Sequence, residues 1–121
     1  MRIHKIDWIS KESLEAEVTV ADGIRKVKCF AHPLTYPDGS RLREPIYCYG
    51  TTNIVRADDN EYKVEKKTEY FSYYIKGRLI DQNNGIVRVG GLLFELERGM
   101  LPGDIKEGEY LSFCCQRLDL G

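Results

Sequence analysis

The residues best equipped for chemistry are four cysteines, two histidines and a set of tyrosines beside basic side chains. Cys29-Phe30-Ala31-His32 has the C-x2-H spacing of half a zinc site. Cys48 with Cys114 or Cys115 would complete four tetrahedral ligands. No second C-x2-C or H-x3-H pair accompanies it, so Cys29 and His32 form only a faint metal candidate. The simpler expectation is that Cys29, Cys48 and Cys115 are small core side chains. No metal or other cofactor is expected. A thiol nucleophile would need a nearby imidazole. Residues three apart on a strand face opposite ways, which argues against a Cys29–His32 couple.

Other catalytic patterns are missing from the sequence. There is no G-x-S-x-G elbow, and Asp58-Asp59-Asn60-Glu61 lacks the central glycine of a calcium loop. Gly85 and Gly90-Gly91 are not followed by Lys-Ser/Thr, so they do not form a phosphate cradle.

One surface stands out. Between residues 70 and 80, Tyr70, Tyr74, Lys76 and Arg78 alternate with Phe71, Tyr73, Ile75 and Leu79. Period two places the first set on one face of a strand. Tyr47 and Tyr49 share a face of their own strand and are expected to extend the patch. Tyrosine and arginine are enriched at protein interfaces. Aromatics beside cations also hold single-stranded nucleic acid on OB-type sheets.

The elements that carry these residues read as strands. Leu14, Ala16, Val18 and Val20 alternate with polar residues, and Asp22-Gly23 supplies a hairpin turn. A second strand covers Ile24 to Ala31, with Lys26 and Lys28 on its polar face. Residues 32–45 contain Pro33, Pro37 and Pro45 and read as a long loop. Strands follow at Ile46 to Tyr49 and Asn53 to Ala57, then a charged turn or ribbon over 58–69. The second half offers Tyr70 to Ile80, then Ile86 to Glu97 bent at Gly90-Gly91, then Glu109 to Leu118. The expected fold is all-β and mainly antiparallel: one small barrel over 1–121, OB-like or similar. Residues 13–57 and 70–119 could be two related three-stranded meanders.

Composition narrows the function. The 121 residues carry 18 basic and 19 acidic side chains, a net charge of −1. This disfavours a nucleic-acid trap over the whole surface. No apolar run is long enough to span a bilayer, and Met1 to Trp8 lacks the apolar core of an export signal. Reduced thiols in a bacterial cytoplasm are therefore expected. The leading expectation is a non-catalytic protein-binding domain, of inhibitor, immunity or assembly type, or one that self-associates. The alternatives are a single-strand nucleic-acid binder and an enzyme with a site near loop 32–45.

Overall fold

A computed structural model describes residues 1–67 and 72–121. Among them the fold is all-β, with no helix long and apolar enough to cross a membrane. Eleven strands follow in chain order: β1 (Arg2–Ser10), β2 (Glu15–Ala21), β3 (Lys26–Ala31), β4 (Ile46–Tyr49), β5 (Thr52–Arg56) and β6 (Lys63–Lys66) come first. After these come β7 (Tyr73–Asp81), β8 (Ile86–Val89), β9 (Leu92–Leu96), β10 (Tyr110–Cys115) and β11 (Arg117–Leu120).

They join one mixed sheet in the order β1-β2-β3-β11-β4-β9-β8-β7-β10-β5. β6 lies beside the N-terminal half of β7. The β3–β11 and β4–β9 pairings are parallel and the others antiparallel. The sheet does not close: among the described residues, β1 and β5 each keep an edge with no strand beside it. This corrects the expected barrel. Alternation shows which face of a strand is buried, but not which edges meet.

Alternation does build the core. Ala16, Val18 and Val20 of β2 point inward, as do Val27, Cys29 and Ala31 of β3. Tyr73, Ile75 and Leu79 of β7 meet Leu92, Phe94 and Leu96 of β9 and Leu111 and Phe113 of β10 in one apolar cluster. Each large side chain so buried contributes about 1.5–3 kcal/mol. The Tyr73 hydroxyl accepts the Lys28 backbone N–H at 2.9 Å, which ties β7 to β3 across the interior.

Several boundaries differ from the sequence reading. Leu14 is not in a strand; it sits in the turn at φ 59° and is exposed. Ile24 also lies in a turn, at 84% exposure. Gly90-Gly91 is a full hairpin reversal between β8 and β9, not a bend within one strand. The last strand breaks at Gln116, whose N–H donates to Tyr49 O at 2.9 Å. β1 has no counterpart in the sequence reading. A bulge between Ile3 and Lys5 shifts its alternation by one residue and hides the period.

The two hairpin tips at Asp22 and Gly91 clasp each other. Asp22 Oδ1 accepts the N–H groups of Ile24 (2.9 Å) and Arg25 (2.7 Å). Its Oδ2 accepts the N–H of Gly91 at 2.9 Å. The approach favours glycine: Gly90 is at φ +60°, and a Cβ on Gly91 would lie 2.9 Å from Asp22 Cβ.

Candidate functional site

The tyrosine–basic face was expected along one strand, and β7 supplies it. Tyr74, Lys76 and Arg78 all point away from the core. Tyr70 lies outside the described residues, and so does Phe71. The three described residues meet different surroundings. Lys63 Nζ sits 5.8 Å from the centre of the Tyr74 ring. Lys76 Nζ is closed onto Asp59 Oδ1 at 2.8 Å, and that hydrogen bond raises the lysine pKa.

Arg78 is different. Its direct cross-strand partner on β8 is another arginine, Arg88. Both side chains are exposed on the outward face. Neither makes a salt bridge among the described residues: Arg78 Nε donates to Gly108 O at 3.3 Å, and Arg88 Nη2 to the Tyr62 hydroxyl at 3.3 Å. Tyr110 is the cross-strand partner of Arg78 on β10. Its ring lies 5.7 Å from that of Tyr62. Arg25 covers Tyr62 at 5.4 Å. The hydrogen bond from Arg88, then that shared with Tyr110, pulls the Tyr62 phenol below its ordinary pKa. Three arginines thus surround two phenols.

Tyr47 and Tyr49 do share an outward face, but they do not extend this patch. β9 and β8 stand between β4 and β7. The two tyrosines belong to a second cluster. There Arg117 lies 4.9 Å from the centre of the Phe30 ring and 4.8 Å from that of Tyr49. Its guanidinium also grips Asp119 through two bonds of 2.6 and 3.0 Å. Arg117 is thus engaged within the chain by two rings and a carboxylate. Burial, then the carboxylates of Glu97, Glu95 and Asp119, raise the Tyr47 pKa.

Cys29 and His32 part company. Cys29 is fully buried, whereas His32 lies at the surface with its ring 6.5 Å from that of Phe30. Cys48 and Cys115 are buried in the core cluster with Cys29. Burial pushes the Cys29 and Cys48 thiols well above their ordinary pKa. No group of three or more metal-binding side chains forms among the described residues.

Loop 32–45 folds onto the body, with Leu34 and Leu42 buried. A cleft of about 400 Å³ at its Arg41 end also involves Met1, His4 and Asp22. Its lining contains no serine, threonine or cysteine. Asp22 there is already committed. Partial burial pulls its pKa upward, but the N–H groups of Arg25, Ile24 and Gly91 hold it below the ordinary value. A larger groove of about 530 Å³ is lined from β1, β2, β3, β6 and β7, with His4, Lys5, Lys26, Lys28 and Lys66 beside Asp7.

Sequence reasoning missed Arg25, Tyr62, Arg88 and Tyr110. Arg88 was within reach, because alternation in β8 points it outward between buried Val87 and Val89. Its position opposite Arg78 depends on the hairpin register, which no local pattern states. Comparison with protein-family models, with curated proteins and with solved structures gave no match.

Proposed function

We propose that this chain is a non-catalytic binding domain that seats an acidic protein partner on the outward face of β7, β8 and β10. It would act as an inhibitor, an immunity-type protein or an assembly module. The observation that carries the reading is the Arg78–Arg88 pair. Like charges directly opposite each other on neighbouring strands destabilise a sheet. Among the described residues no carboxylate relieves them. Each guanidinium retains a fork suited to bidentate capture of a carboxylate. Tyr62 and Tyr110 add the rigid amphipathic area that hot spots use. A cytoplasmic location, which suits the free buried thiols, belongs to the same proposal.

The test is affinity capture from the source cells with wild type and with Arg78→Gln/Arg88→Gln. The reading expects a protein that wild type retains, that the variant loses, and that rising salt releases. Equal capture by both forms would overturn it.

The basic groove favours a second reading, an OB-like single-strand nucleic-acid binder. Four lysines line the groove; Lys28 is paired with Glu17 and Lys5 with Asp7, which leaves Lys26 and Lys66 for a path that tracks a phosphate backbone. Fluorescence titration with single-stranded DNA and RNA at low salt checks it. Binding weakened by salt and by Lys26→Ala/Lys66→Ala is the expected result. Absence of binding removes this reading and leaves the first intact.

A further inference from the structure

We infer that the free edge of β1 pairs with β1 of a second copy of this chain, antiparallel about a two-fold axis at Ile6. β1 is nine residues long and bonds to β2 on one side only. On the other side, Ser40 O accepts the Ile3 N–H at 2.9 Å, and the long loop goes no further along the strand. From His4 to Ser10 no strand pairs with this edge among the described residues. Apolar side chains accompany it: Trp8 is 39% exposed and Ile9 54%. The opposite edge of the sheet is better guarded. β5 has only five residues, is interrupted at Asn53 by φ 55°, and its Arg56 is held by Glu109 and Asp104.

A lysine on an edge strand usually blocks pairing. Lys5 would do so alone, but Asp7 lies two residues away on the same outward face. The two form an exposed ion pair of 3.6 Å, and their β2 partners are the outward residues Thr19 and Glu17. Two-fold symmetry makes some residue face its own copy. An axis at Lys5 or at Asp7 would set like charges together. An axis at Ile6 sets Lys5 against the partner's Asp7, and the reverse. It also sets Ile6 against the partner's Ile6, and His4 against the partner's Trp8. One residue further would bring Ile9 onto the partner's Ile3, which Ser40 already occupies. The free length of the edge and its charge order therefore select the same register.

Sedimentation equilibrium tests this over a range of concentrations. Wild type should dimerise. Lys5→Asp and Asp7→Lys should each weaken the dimer by about tenfold or more, since each puts two like-charged pairs in register. An equimolar mixture of the two single variants should form a heterodimer, because every pair is then complementary. The double variant Lys5→Asp/Asp7→Lys should recover the wild-type dimer. Circular dichroism checks that each variant is folded. Wild type that stays monomeric throughout overturns the proposal. So does a dimer unaffected by the single changes, or a mixture that fails to associate while wild type does.

Discussion

Replacing Asp22 by asparagine should cost far more than one side-chain charge at a hairpin tip would suggest. The carboxylate accepts three backbone N–H groups, and the one from Gly91 comes from 69 residues away. An asparagine carbonyl can still serve Ile24 and Arg25 as a neutral acceptor. Its amide NH2 would then face the Gly91 N–H, donor against donor. The Asp22 side chain is 3% exposed, so water reaches that site poorly. Losing one charge-assisted bond and weakening two comes to about 2–3 kcal/mol. For a chain of this length, that lowers Tm by about 10 °C. The Arg25 ion pair at 3.7 Å is partly exposed and adds at most about 1 kcal/mol. Urea unfolding of Asp22→Asn against wild type measures the difference. The pH dependence has a definite sign. The folded pKa of Asp22 lies below its ordinary 3.8. Its contribution is therefore present above that ordinary value and lost as pH falls through the folded one. The gap between the two proteins should be full at neutral pH and close in strong acid. A variant within about 0.5 kcal/mol of wild type at neutral pH, with an unchanged m-value, would refute the reasoning.

Two further substitutions separate packing from binding. Arg78→Gln should leave stability unchanged or raise it by up to about 1 kcal/mol at low salt, because it relieves the repulsion from Arg88. A loss larger than 1 kcal/mol in the same urea assay would make the pair structural. Gly77→Ala should destabilise by about 1–3 kcal/mol, because its new Cβ would lie 2.5 Å from Arg88 O and 2.7 Å from Val89 Cγ2. A neutral result in thermal unfolding would mean that β8 can move away from β7.

How far the sequence carries can be read from particular residues. Val18 and Val20 were legible because burial on one face leaves period two in the chain. Leu14 continued that pattern by accident, and its left-handed turn conformation was invisible to it. Gly90-Gly91 signalled a break in the strand. Whether the chain bends or reverses there depends on the close approach of Asp22, which is distant in sequence. The same limit applies to the candidate site. Tyr74, Lys76 and Arg78 could be placed on one face from alternation alone. That Asp59 occupies Lys76 while Arg78 meets Arg88 depends on register and on a charged segment without periodicity.

The central position of β11 constrains how the protein can be made. This last strand lies between β3 and β4, parallel to one and antiparallel to the other. Synthesis runs from the N-terminus, and early segments begin to fold as they emerge. Here β3 and β4 must wait until residues 117–120 have been translated before their shared neighbour exists. The β1–β2–β3 ribbon can form early, but joining it to the rest of the sheet waits for β11. Until then the facing edges of β3 and β4 are open templates for other strands, and this is the interval in which a chaperone would matter most.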